Sequence, residues 1–382
     1  MENLNGYVAP GFEPIRDAFE SNFDEDLELG AGFTMIRDGE IVVNLVGGWT
    51  DRRKSSPWQM DTLVPVYSTS KAISALVVAR VISEAEGVGY DTLVTDIWPE
   101  FGAHGKDKLT ISDVMSHQGG LSGFKHEIDP AIWLDPAKTA AALADAEPLW
   151  SPVPDGSSGY HPSTWGYIAW EIVMRLTGKT LGTVLADEFT HTGQAHAFDK
   201  IDFWIGTPAS EHHRIADIQR PRELPKLGEM NDVKKTAFLT KWAGPDRGGP
   251  EWRETEIPSA NGHGTAEAVA RLYAAYATGG TLGDVEIADA ETWADFLKIR
   301  ASGQDRVLPF EVSFASGPMK NTLGFYGRNS ASFGHSGWGG SAAFGDPDAG
   351  ISCAYVMNRQ SSHLLGDPRP TRLFNAVYDC LD

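Results

Sequence analysis

The sequence predicts an α/β chain of the α+β kind, in which one antiparallel sheet is flanked by N- and C-terminal helices and joined to a mostly helical lobe. Three observations carry that reading. Strand-like runs bounded by turn residues lie near both ends of the 382-residue chain. Residues 91–272, by contrast, read as helices with long irregular connections and few period-two runs. Amphipathic helices stand at the two termini. Strands so far apart in sequence share a sheet only when the ends of the chain meet. The expected organisation is a discontinuous sandwich domain, residues 1–85 and 260–382, with residues 86–259 forming the helical lobe. The cleft between them is a preferred place for a ligand pocket.

In chain order, Ile15, Ala18, Phe19 and Asn22 mark an amphipathic helix over residues 13–23. Apolar runs at 32–36 and 41–46 flank Asp38-Gly39, a strong hairpin signal. A strand-like run, Leu63 to Tyr67, leads into a long apolar helix from Ala72 to Ala85. Residues 111–117 read as a short helix with Thr110 as N-cap, followed by a glycine-rich loop. Helices are expected over 136–147, over 163–176 with Gly178 as its C-cap, and over 265–277, stopped by Gly279-Gly280. Residues 206–258, rich in Pro, Gly and charge, read as an extended surface excursion. Short strands follow at 323–326, 332–334, 340–346 and 350–357, and a helix at 370–381 closes the chain.

Composition narrows the function. A formal net charge of −20 disfavours nucleic acid and anionic membrane surfaces as partners. The acidic first thirty residues predict no secretory leader, and no apolar run approaches the roughly 18 residues of a membrane span. With two cysteines and no disulfide framework, a cytoplasmic location is the simplest expectation. No Walker loop or Gly-x-Gly-x-x-Gly follows a strand, and His212-His213 and His191…His196 lack a zinc spacing, so they read as surface histidines. No cofactor and no metal are expected.

The chemistry is carried by Ser68-Thr69-Ser70-Lys71. Serine and lysine three residues apart share a helix face. The helix start favours a forming alkoxide and can bind an oxyanion. A lysine in the first turn of a buried helix is desolvated, which lowers its pKa and makes it a base. A second Ser-x-x-Lys, Ser122 to Lys125, lies between glycines without a helix and lacks that logic. Tyr160, after small residues and before a helix, is a candidate proton carrier whose phenol pKa a nearby ammonium would lower. The glycine-dense His335-Ser336-Gly337-Trp338 segment offers the Trp338 N–H as an oxyanion donor beside that of Ser68, with His335 near the tyrosine or a substrate carbonyl. No Gly-x-Ser-x-Gly elbow is present.

Together these residues resemble the serine β-lactamase and penicillin-binding-protein superfamily, and within it the class C β-lactamase-like family VIII carboxylesterases. Ser68 to Lys71 matches the first motif, Tyr160 the second-motif tyrosine, and His335-Ser336-Gly337 a histidine variant of the third. The segments Leu109 to Leu121 and Ser259 to Ala266 add support, so the likeness spans about residues 10–380. It implies a β-lactamase/transpeptidase-like sandwich with a helical lobe, and acyl transfer through a Ser68 acyl-enzyme. Lys71 and Tyr160 would share the proton work, which of them is the ground-state base being left open, and the Ser68 and Trp338 N–H groups would hold the oxyanion. Pro162 stands where the family's β-lactamases place an asparagine, and His335 where they place a lysine. Both changes favour a neutral ester over a carboxylate-bearing lactam. The expected function is a carboxylesterase for small, short-acyl esters, its partner a small-molecule ester. The alternatives are an amidase, transesterase or weak β-lactamase, or a non-catalytic homologue that binds acyl ligands. Trp133, Trp150, Trp165 and Trp338 are expected in the acyl pocket or in lobe packing.

Overall fold

A computed structural model of the chain describes residues 3–191 and 201–381. Its centre is a nine-stranded antiparallel sheet. Across it run Asn5–Val8, Glu40–Gly48, Gly30–Arg37, Ile351–Met357, Ala342–Asp346, Phe333–Ser336, Met319–Lys320, Glu311–Phe314 and Ala301–Gln304. The hairpin forms where expected. Asp38 and Gly39 both take positive φ, 50° and 84°, the backbone that a two-residue turn between twisted strands requires. The two ends of the chain meet where Ile351 to Met357 pairs antiparallel with Arg37 to Ala31.

Alternation along the strands serves two cores. Phe33, Met35, Val43, Leu45, Phe344, Cys353 and Tyr355 pack with Ile15 and Phe19 of the helix Glu13–Asp24, and with Leu373, Phe374 and Val377 of the helix Pro368–Asp379. Their neighbours on the opposite face, Ala343, Ala354 and Val356, pack toward the helices Ala266–Ala277 and Ser70–Glu84. The sheet is therefore covered on both sides, and the helix that carries Lys71 lies in the larger core. Among the described residues, no helix is long and apolar enough to cross a membrane. Both cysteines are free.

The second half of the sheet departs from expectation. Residues 323–326 are not a strand. The Asn321 side chain accepts from Tyr326 N–H (3.0 Å) and donates to the carbonyls of Gly327 (2.9 Å) and Asn329 (3.0 Å), replacing a ladder with a folded loop. The strands of this region are instead Ala301–Gln304, Glu311–Phe314 and Met319–Lys320, too short and polar to show a period. The strand expected at 340–346 starts at Ala342, because Gly339 and Gly340 have positive φ (92° and 121°). The excursion 206–258 contains the short helices Ala209–Arg214, Asp232–Phe238 and Pro250–Glu254. Of the histidines read as surface residues, His213 is exposed and His212 half-buried. His191 packs 3.8 Å from the Trp204 ring, and His196 lies outside the described residues.

Candidate active site

The turn Tyr67–Thr69 passes directly into the helix Ser70–Glu84 and leaves Ser68 half-buried at its start. Tyr67 has φ of 49°, a conformation that a bulky residue adopts only when its surroundings impose it. Those surroundings are a set of hydrogen bonds from distant residues. The Ser341 hydroxyl donates to Val66 O (2.7 Å) and accepts from the Thr69 hydroxyl (3.0 Å). Tyr273 donates its phenol proton to Thr69 O (2.7 Å), and Gly262 N–H donates to Ser70 Oγ (3.0 Å). A Cβ on Gly337 would stand 2.2 Å from Val66 O, so only glycine lets the third motif lie this close to the serine turn.

Lys71 is wholly buried. Its Nζ lies 3.2 Å from Ser68 Oγ, 2.8 Å from Pro162 O and 3.0 Å from Ser259 O, with no carboxylate among these partners. Burial, and after it the charge of Arg247, hold its pKa well below the usual lysine value. The expectation of a desolvated lysine beside the serine is met in geometry and in direction.

Tyr160 is also buried, at 6% exposure, with Lys71 Nζ 4.8 Å from its ring centroid. Its phenol faces the Ser68 side chain, whose proximity favours the phenolate. One expectation is reversed here. Burial raises the phenol pKa, and the nearby Ser68 side chain offsets it only in part. The lysine expected to pull it down is itself held toward the neutral amine. Tyr160 thus stays a phenol that can donate, rather than a phenolate.

The Tyr160 backbone is set by a residue that the sequence did not single out. Asp305, at 3% exposure, accepts from Tyr160 N–H (3.0 Å), Ser158 Oγ (2.5 Å), Val307 N–H and Leu308 N–H (both 2.7 Å). The backbone on either side continues the clamp. Ser302 N–H donates to Gly156 O, and Arg306 N–H donates to Ser158 O.

His335 is the penultimate residue of the strand Phe333–Ser336, at 2% exposure and with its ring centroid 6.0 Å from that of Tyr160. Burial pushes its pKa down to about 3, so the imidazole is neutral. Nδ1–H donates to Ser336 O at 2.9 Å, and Nε2 is a buried acceptor without a partner. His117, also missed, is buried against Tyr160 at 4.9 Å between ring centroids, with φ of 67°. The Ser336 hydroxyl hydrogen-bonds the Tyr326 phenol at 3.2 Å.

Ser68, Tyr160, His335, Ser336 and Trp338 line one pocket, together with Tyr67, Phe238, Arg247, Leu308, Met319 and Leu365. Its volume is about 50 Å³, far below the roughly 300–1,000 Å³ of a site for a drug-sized ligand. Of the tryptophans considered for the pocket, only Trp338 lines it. Trp133 and Trp165 are core residues whose indole N–H groups donate to Trp242 O and Met115 O. In the second Ser-x-x-Lys, Lys125 pairs with Glu147 at 2.5 Å, which leaves Ser122 without a base.

A pocket that brings together a half-buried serine, a lysine whose pKa burial depresses and a tyrosine whose phenol pKa burial raises is equipped for nucleophilic attack on a carbonyl carbon. Comparison with known proteins gives the same direction. A family model described as Beta-lactamase matches residues 19–378. The Esterase/beta-lactamase LipL of Mycobacterium tuberculosis is 30% identical over an alignment covering 94% of this chain and 84% of its own. A penicillin-binding protein homolog from Caulobacter crescentus superposes with a TM-score of 0.92 at 45% identity, covering 99% of each chain. A family VIII carboxylesterase superposes at 0.88 with 38% identity, again over 99% of each.

Proposed function

The chain belongs to the beta-lactamase family, and from that premise we propose that it is a serine carboxylesterase acting on small, short-acyl esters. The observation that carries the proposal is the trio of Ser68 Oγ, buried Lys71 Nζ and the Tyr160 phenol in one small pocket. As the Ser68 hydroxyl proton passes to Lys71 Nζ, Oγ bonds to the ester carbonyl carbon. The carbonyl oxygen becomes an oxyanion facing the N–H groups of Ser68 and Trp338. Collapse of the adduct breaks the bond to the alkoxy oxygen, which takes its proton from Tyr160 as Lys71 resupplies the phenol. Water then adds to the acyl carbon, giving its proton to the same pair. The acid departs and Ser68 Oγ regains its hydrogen.

Three features favour an ester over a lactam. His335 is neutral where the resemblance places a lysine. The Pro162 position offers a lactam amide no side-chain carboxamide, and its carbonyl already accepts from Lys71. The pocket wall beside Ser68 is apolar, through Phe238, Leu308, Met319 and Leu365, and its small volume suits a short acyl chain. The pocket draws Ser68 and His335 from the proposed sandwich domain (1–85 and 260–382) and Tyr160, Phe238 and Arg247 from the proposed helical lobe (86–259).

The test is a fluorophosphonate adduct mapped by mass spectrometry, followed by turnover of p-nitrophenyl esters of rising chain length against a chromogenic cephalosporin. Labelling at Ser68 and preference for the shortest acyl chains are expected. A label elsewhere would remove the mechanism. Cephalosporin turnover rivalling the best ester would restore the lactamase reading that the name of LipL leaves open.

Asp305 gives a second check. In Asp305→Asn an NH2 group faces the N–H donors that now hold the Tyr160 segment, so the phenol should lose its alignment. The expected result is a fall in kcat of about 10²-fold, the cost of misplacing a catalytic group by about 1 Å, with a smaller change in KM. An unchanged kcat would make Asp305 a purely structural residue.

A further inference from the structure

The third motif supplies no charge to the pocket, because the buried His335 is neutral. A cation reaches the pocket from elsewhere. Arg247, from the excursion 206–258, lines the Ser68 pocket, with its guanidinium carbon 5.8 Å from the centroid of the Tyr67 ring and 5.6 Å from that of Trp338. These are the aromatic residues on either side of the proposed chemistry, one preceding the nucleophile and the other carrying the proposed oxyanion donor. Stacking on ring faces restrains a guanidinium while leaving its in-plane N–H fork for a planar anion. Among the described residues, no carboxylate lies within ion-pair distance of Arg247 or of the neighbouring Arg220.

Arg247 also belongs to a wider, open groove that shares Tyr67, Phe238 and Trp338 with the pocket and so leads directly to Ser68. Five arginines line it (Arg52, Arg53, Arg220, Arg247 and Arg253) against three aspartates. One of these, Asp51, is already engaged by the N–H groups of Arg53, Ser55 and Ser56 and by the Ser55 hydroxyl. In a chain of net charge −20, a groove with an excess of positive charge runs against the average surface. A local field of that sign concentrates anions at the mouth of a site.

We propose that the natural ester carries a carboxylate on its alcohol half, and that this carboxylate pairs with Arg247 in the groove while the short acyl chain occupies the small apolar pocket. The proposal rests on the esterase reading of Ser68 and adds the substrate class to it. The division of the substrate follows from the two spaces. The pocket is small and mostly apolar, as a short acyl chain requires. The groove is open to solvent, as a leaving alcohol requires. The lost third-motif lysine is then only half the account, since a cation reaches the pocket from another segment, as Arg247.

The test compares 3-acetoxybenzoate with its neutral counterpart 3-acetoxybenzamide, which present the same acetyl group on leaving groups that differ in charge. The wild-type protein is expected to show a kcat/KM about tenfold higher for the benzoate at low salt, the size of effect one well-placed arginine–carboxylate contact gives. That ratio should shrink as salt rises toward about 1 M, where the Debye length is about 3 Å. In Arg247→Gln the ratio should fall toward one, and in Arg247→Lys it should be partly kept. A wild-type ratio at or below one, or a ratio that Arg247→Gln leaves unchanged, overturns the proposal while leaving the esterase reading standing. Failure to hydrolyse either ester, together with no fluorophosphonate label on Ser68, overturns both.

Discussion

Replacing Lys71 with methionine is expected to lower kcat/KM for a short p-nitrophenyl ester by about 10³- to 10⁴-fold, the upper part of the range for removing a positioned base. The hydrogen-bond inventory of the amine is the reason. A neutral amine has two N–H donors and one lone pair. Two of the neighbours of Lys71 Nζ, Pro162 O and Ser259 O, are carbonyls that can only accept. They occupy both N–H groups and leave the lone pair for the third neighbour, the Ser68 hydroxyl. Burial and the Arg247 charge favour that neutral form. Burial raises the Tyr160 phenol pKa, which favours Lys71 over Tyr160 as the proposed first base. Methionine matches the length of lysine but takes no proton. It also leaves two carbonyls without a donor, at about 1–3 kcal/mol each, partly offset because no amine has to be desolvated.

The pH profile of the unmodified protein tests the same assignment. The protonated amine is inactive, so kcat/KM should rise with pH through the depressed Lys71 pKa and level off well below the ordinary lysine value of about 10.4. A rate still climbing toward that value, or a Lys71→Met variant within tenfold of the parent, would return the role of base to Tyr160. Single-turnover acylation is the measurement to use, since it isolates the step in which Ser68 loses its proton.

What was legible in the sequence was what depends on neighbours along the chain. Asp38-Gly39 is a hairpin because its own two residues tolerate positive φ. Thr110 caps its helix through Asp113, three residues on, in a complete capping box. Gly178 ends its helix at φ of 72° because it lacks a Cβ. Ser68 and Lys71 belong to the same class, since a tight turn running straight into the helix places residues three apart within reach.

The groups that tune those residues were not legible, because their partners are distant. Asp305 accepts from Val307 and Leu308, as any aspartate in a turn does. Its bonds to Ser158 and Tyr160, across 147 and 145 residues, have no sequence signature. Arg247 lies in a stretch without periodicity, and its position over Tyr67 and Trp338 depends on how that stretch folds back. The direction of the Tyr160 pKa failed for a related reason. A nearby ammonium lowers a phenol pKa, whereas burial here lowers the Lys71 pKa and raises the phenol pKa at the same time. Apolar context predicts burial, but the sign of an electrostatic effect needs the complete list of neighbours.

The largest stability effect is expected at Arg369, a buried residue that the motifs did not include. Its side chain is 3% exposed and lies between Glu28 and Asp367, at 1% and 4%. It donates from Nε and one terminal nitrogen to Asp367 (3.0 and 2.8 Å), and from the other to Glu28 Oε2 (3.2 Å) and Arg359 O (2.7 Å). Burial pushes the Glu28 carboxyl up to about 7 even with Arg369 beside it, so this carboxylate depends heavily on the guanidinium. Arg369→Met keeps an apolar stem but leaves two buried acids without their cation. Breaking a buried ion pair from one side costs about 3–5 kcal/mol, which urea unfolding would read as a lowered midpoint. The same substitution reaches the proposed active site. Arg369 donates to Gly339 O at 2.9 Å, and a Cβ on Gly340 would meet the guanidinium at 2.4 Å, so the loop that follows Trp338 is built against it. Loss of that contact should lower kcat as well, by loosening the Trp338 N–H proposed to hold the oxyanion. A variant that unfolds at the parental urea midpoint would show that the cluster is not held by Arg369. One that loses stability but keeps kcat would separate the fold from the oxyanion loop.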